Sequence, residues 1–331
     1  MRISRKLLSA ALVAARDCMG VKEGEQVVIV TDEPMRLLAQ ALFRANVSLK
    51  AEPVIVEMTP RESNGAEPPA LVAQLMAQAD VVFCPTSKSL THTDSRRAAS
   101  AAEARVATLP GVTEEIMVRC MNADYHAIAA RTRRLCRLME QTKVVHVMAP
   151  GGTDIKLPIE GRAAHASSGL FREKGQWGNL PTGESYVAPV EGVSSGIVVV
   201  DGSMAGIGMV EQPIRIVVRD GYAEEITGGP EAERLIALLA PHGRDARTVA
   251  EFGIGTNDKA ILSGKIIEDE KVMGTIHIAL GDNKSMGGSV RVASHLDGLI
   301  KRPTVWFDKK MVIKEGAFLD ENESASNGTV A

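Results

Sequence analysis

Three short Val/Ile-rich runs, QVVIVTD after Gly24, AEPVIVEM and DVVFCPT, are separated by MRLLAQALFRA and PALVAQLMAQA, in which apolar residues recur at helical spacing. Near-continuous apolar runs of this length suit strands buried on both faces, and parallel strands need a connection long enough for a helix. The first half of the chain is therefore expected to be a parallel sheet with helical crossovers. Such a sheet invites a dinucleotide reading, but the turn after QVVIVTD holds Glu33, Pro34 and Met35 where a phosphate-binding turn needs glycines. The pairs Gly206/Gly208 and Gly253/Gly255 are GxG fragments without the third glycine, and turns account for them.

The start, MRISRK followed by LLSAALVAA, imitates the basic and apolar regions of a secretory leader. Leu8, Leu12, Ala15 and Met19 nevertheless recur at helical spacing, and the pattern runs through Arg16 and Asp17 to a stop at Gly20. An amphipathic domain helix is the better reading. Residues 122–141 predict another helix, with Ile128, Leu135 and Leu138 on one side. Its Arg131, Arg133, Arg134 and Arg137 read as a solvated face rather than an anion site.

The texture changes near Pro150. From GGTDIKLPIEGR onward, Gly and Pro turns separate short β-like runs such as GIVVVDG, PIRIVVRDG, TIHIAL and PTVWFDKKMVIKEG, with one clear helix at AERLIALLA. The expected fold class is α/β: an N-terminal βα-alternating parallel-sheet domain over residues 1–145 plus a C-terminal α+β metal-binding domain over 146–319. DENESASNGTVA at the end reads as a disordered acidic tail over 320–331. Aromatic residues are only 3% of the chain, so its cores must rely on Val, Ile, Leu, Met and Ala.

A net charge of -3 argues against a broad phosphate-binding surface and a nucleic-acid partner. No apolar run has the length of a membrane helix. Cys18, Cys84, Cys120 and Cys136 lie far apart without a CxxC pair, which fits a reducing, cytoplasmic setting.

Chemistry is concentrated in the second half. In ASHLDG, His295 and Asp297 are two apart and share one side of an extended segment, where they can grip one cation. His277 lies just upstream in TIHIALGDN. Two imidazoles and a carboxylate in so short a stretch form a ligand set for zinc, cobalt, manganese or ferrous iron. Glu251 in VAEFGIGTN and Glu184 in NLPTGESY are either solvated loop acids or further ligands. Added carboxylates become useful when two cations sit side by side and share an activated water. His92, His126, His146, His165 and His242 have no comparable company.

In that order, NLPTGE, AEFGIGTN, TIHIALG and SHLDG resemble the signature blocks of the M29 metallo-aminopeptidases, the aminopeptidase T and S type. The resemblance covers most of residues 145–315. It implies that Glu184, Glu251, His277, His295 and Asp297 surround two divalent ions (zinc, cobalt, manganese or magnesium). It also implies a homodimer that removes N-terminal residues from peptides by a metal-activated water. The family carries a tyrosine seven residues beyond its first histidine, where this chain has Lys284. Lys284, or Tyr186 from the other loop, can then supply the electrophile, with Glu184 or Glu251 shuttling the proton. Lys265 and Lys271 are expected to tolerate substitution.

Two other readings stay open. His277, His295 and Asp297 are also the composition of a non-haem Fe(II) site, and the 2,5-dihydroxypyridine dioxygenases look like single-iron relatives of these peptidases. A non-catalytic binding protein with a structural metal is the third, although structural zinc sites tend to be rich in cysteine.

Overall fold

The computed structural model describes residues 3–319, so the acidic tail lies outside the described residues. The fold is mixed α/β, with one parallel sheet and two largely antiparallel ones, and its chain divides into two compact units. Among the described residues, one unit takes residues 3–129 and 167–182, the other 130–166 and 183–319. The division falls inside the helix Tyr125–Glu140, upstream of the change in texture at Pro150.

In the first unit five strands lie in the order Glu52–Met58, Gln26–Asp32, Val81–Cys84, Arg105–Thr108 and Trp177–Asn179, paired in parallel. The central runs are apolar on both sides because both faces are covered; Val28, Val30, Val82, Cys84 and Val106 share a core with Val72 and Met76 of the crossover helix Ala70–Gln78. The fifth strand comes from beyond Pro150, a segment with no Val/Ile run to announce it. At the start, Ser4 caps the helix Arg5–Leu12 by accepting from the Leu7 N–H, and Leu7, Ala10 and Ala11 are buried. This is the domain helix expected from the spacing. Among the described residues, no helix is long and apolar enough to cross a membrane.

The second unit is built on an eight-stranded and a seven-stranded sheet. Their inner faces share one apolar core, in which Val145, Leu157 and Val198 of the former meet Phe252, Ile254 and Ile278 of the latter. Two sheets packed in this way need one apolar face each, which leaves alternate residues of every strand on the other face. Four neighbouring strands of the seven-stranded sheet matter most: His295–Ile300, Ile276–Gly281, Val249–Gly255 and Glu184–Val187.

The helix Tyr125–Glu140 buries Ile128, Leu135 and Met139. Its arginines are not all a solvated face, since Arg131 donates to the Thr256 carbonyl.

Candidate metal centre

The strand period places the chemistry. Ile276, Ile278 and Leu280 enter the core, so His277, Ala279 and Gly281 face the other way. Phe252 and Ile254 enter it, so Glu251, Gly253 and Gly255 face outward. A register shift between Val249 and Glu251 lets Val249 remain in the core without turning Glu251 inward. In the ladder Glu251 stands opposite Ala279 and Ala279 opposite Asp297, while Gly281 stands opposite His295. Gly253 stands between Tyr186 and His277. Small residues thus alternate with ligand types across the face and leave the long side chains room to converge.

Gly253 shows how tight that room is. A Cβ there would lie 2.0 Å from His277 Nε2, so the imidazole rests on backbone that no side chain covers. From this position His277 Nε2 is 3.1 Å from Glu251 Oε1 and 3.7 Å from Glu184 Oε2. The other oxygen of Glu251 is 3.2 Å from His295 Nε2, which is itself 3.5 Å from Asp297 Oδ1. Ligand atoms of Glu251, His295 and Asp297 all lie within 4.8 Å of one another. His295 Nδ1 is 2.8 Å from the Asp282 carbonyl, and an N–H donated there leaves Nε2 free to bind a cation. The Gly-Asp-Asn turn that supplies this carbonyl is pinned by Glu191, whose Oε1 accepts from Asn283 and from the Ser289 N–H.

Such a cluster needs positive charge. Burial alone would push the His277 imidazolium down, but the hydrogen bond and charge of Glu251, with Glu184 and Asp297, raise it to about 9. His295 is raised well above the usual histidine range: burial opposes its charge, and Asp297 and Glu251 outweigh burial. Glu251 is desolvated yet held well below the usual carboxylate range by hydrogen bonds from both imidazoles. Protons fill the role that a cation can take over. Glu184 Oε2 and His277 Nδ1 are buried without a hydrogen-bond partner. An orphaned carboxylate oxygen facing an imidazole is costly unless a cation or proton joins them, so the residues present fit a divalent metal.

Sequence reasoning brought forward seven residues, and the structure gathers most of them. Glu184, Tyr186, Glu251, His277, His295 and Asp297 all lie on the four strands named above. Tyr186 is partly buried, and burial together with the Glu251 and Glu184 charges pushes its phenol far up, so it keeps its proton. Lys284 is exposed at the start of the turn Lys284–Met286.

Other residues near these strands were not foreseen. Lys271 is 1% exposed and donates to Glu184 at 2.5 Å and to Glu270. Burial works against the ammonium, but the charges of Glu184 and Glu270 reverse this and raise it. The expectation that Lys271 tolerates substitution is therefore corrected. The neighbouring Glu268 and Asp269 are fully buried, bonded to the backbone N–H groups of Ile261 and Ser263. His165 also has company after all: its ring stacks on Tyr186, 5.1 Å between centroids.

Convergent imidazoles and carboxylates on the outer face of a two-sheet unit make a candidate metal site. Residues 8–320 match the family model NicX, 2,5-dihydroxypyridine 5,6-dioxygenase, and the chain belongs to that family. A curated 2,5-dihydroxypyridine 5,6-dioxygenase from Pseudomonas putida KT2440 is 23% identical over 205 residues, which are 56% of this chain and 57% of that relative's length. The solved structure of 2,5-dihydroxypyridine dioxygenase from Pseudomonas putida KT2440 superposes with a TM-score of 0.83 at 19% identity, covering 98% of this chain and 100% of the other. Wild-type AmpT from Thermus thermophilus superposes at 0.68 with 17% identity, over 96% of this chain and 100% of its own. That second likeness is in keeping with the M29 fold the sequence blocks resemble. The family match, however, points to a dioxygenase rather than to the hydrolase that those blocks imply.

Proposed function

We propose that the chain is a non-haem Fe(II) dioxygenase that opens a dihydroxylated pyridine ring, with 2,5-dihydroxypyridine as the first substrate to try. The observation that carries this reading is the family match over residues 8–320 onto a chain whose His277, His295, Asp297 and Glu251 converge on one face. Two imidazoles and a carboxylate with positions left open are the ligand set of Fe(II) oxygenases. His277, His295 and Asp297 would hold the ion, which supplies the one-electron chemistry that lets dioxygen react with a closed-shell ring.

The remaining work falls to the chain. Glu251 sets one oxygen against each imidazole and fixes both ring orientations. The Asp282 carbonyl selects the His295 tautomer. Tyr186 keeps its proton and can donate to a ring oxygen of the substrate. In the overall reaction the bond between ring carbons 5 and 6 breaks, both atoms of dioxygen enter the product, and no external reductant is consumed. A homodimer and a cytoplasmic setting belong to the same proposal.

The test uses protein reconstituted anaerobically with Fe(II). Oxygen uptake should match the loss of 2,5-dihydroxypyridine absorbance mole for mole. Hydrolysis of an amino-acid amide by the zinc, cobalt or manganese form, with no oxygen uptake by the iron form, would restore the peptidase reading.

A further inference from the structure

We infer that Lys271 takes the place of a second cation at Glu184 and keeps one from binding there. The inference rests on the metal-site reading above and concerns the position at Glu184. A second ion beside the first needs a carboxylate of its own, and Glu184, with Oε2 3.7 Å from His277 Nε2 while Glu251 is the carboxylate beside both imidazoles, is the one to supply it. Its Oε1 already accepts from Lys271 Nζ at 2.5 Å, and the same ammonium reaches Glu270. The single ammonium lies between the two carboxylates and occupies the Glu184 oxygen that a second metal would need, and an ammonium and a dication cannot share that space without strong repulsion.

The lysine is built into this position. Gly255 has no side chain, and a Cβ there would lie 2.1 Å from the Val272 carbonyl; the glycine therefore lets the segment carrying Lys271 lie against the strand. Asn257, two residues on, donates its N–H to the Lys271 carbonyl at 2.9 Å. The Met273 N–H returns to the Asn257 carbonyl at 3.1 Å. The Lys271 N–H bonds the Glu268 carbonyl, closing the short turn from the other side. Gly255 also stands opposite Glu184 in the ladder, so one strand end sets both members of the ion pair.

The experiment counts ions. Full-length protein is stripped with chelator, dialysed against excess manganese or zinc, and assayed by elemental analysis, with manganese EPR to separate isolated from exchange-coupled ions. Wild type and Lys271→Arg should take up one ion per chain and show an isolated-ion spectrum. Lys271→Ala and Lys271→Met should take up a second ion, bound on the order of ten- to a hundredfold more tightly than any second ion in wild type, with a coupled spectrum. Two ions in wild type would overturn the inference, and so would a count of one in folded Lys271→Ala and Lys271→Met. If both variants fail to fold, Lys271→Gln, which removes the charge but keeps length and hydrogen bonding, makes the same comparison, and a count of one in it would overturn the inference. The readout does not depend on ring cleavage: a count of one without oxygen uptake would remove the proposed reaction and leave the role of Lys271 standing.

Discussion

Gly253→Ala is the smallest change that tests whether the His277 imidazole is held by a bare stretch of backbone. The added Cβ would lie 2.0 Å from His277 Nε2 and 2.2 Å from Cε1, distances no real contact allows. Because His277 is fully buried, its ring has no solvent to swing into and must push against neighbours or open the face. Overpacking of this kind costs roughly 1–3 kcal/mol in a packed interior. Disturbing what orients a ligand weakens metal binding about 10- to 100-fold, which is about 1.4–2.8 kcal/mol. The two effects act on one side chain, so their sum is an upper bound for the metal-loaded protein.

Urea unfolding of the stripped and zinc-loaded forms measures the first and combined losses, and competition with a chromophoric chelator measures the second. Gly151→Ala is the control, since its Cβ would meet Asp201 Oδ2 at an ordinary 3.5 Å. Zinc affinity of Gly253→Ala within about twofold of wild type would refute the argument, because a tenfold loss is the least it requires.

His295→Ala and Asp297→Ala should each lower bound metal on purification far below that of His242→Ala, by elemental analysis; equal content in all three would remove the pair from the ligand set. Metal-free protein should lose stability with rising pH. His277 has a folded value of about 9, above the ordinary unfolded value near 6.5, so its contribution is full below about pH 6.5 and disappears as pH rises through about 9, as urea midpoints across that range would show. Metal affinity should rise over the same window, because a cation displaces those protons. Lys284→Met should keep its metal and stay within about twofold of wild-type turnover, given its exposed position; a loss on the order of a hundredfold would return Lys284 to the mechanism.

The parallel sheet could be read in advance because each of its first three strands announces itself locally: VVIV and VVF are continuous apolar runs, as burial on both faces demands, while VIV is an equally apolar run on the edge strand, where Val54 and Ile55 stay exposed. The fifth strand, Trp177–Asn179, is three residues of no particular β character and is extended only because Arg105–Thr108 pairs with it. Tertiary context makes such a strand, and no window of sequence contains it. For the same reason the domain boundary did not follow the texture: residues 167–182 have the loop-rich composition of the second half but return to the first unit.

The same distinction runs through the metal centre. His295 and Asp297 share a strand, and Glu251 and His277 each sit in an alternating run, so the period of two already puts them on outward faces. Once those strands are neighbours, convergence follows from register alone. Lys271 has no such period. It lies in a turn, EDEK, whose charges look solvated, and its partner Glu184 is 87 residues away. Only the chain path of Gly255 and Asn257 brings the two together, and a glycine and an asparagine after a strand are equally the residues of an ordinary turn. Matching blocks therefore revealed the donors common to the one-ion and two-ion readings. The ammonium beside Glu184 is supplied from outside the blocks, so a reading of the blocks alone has no access to it.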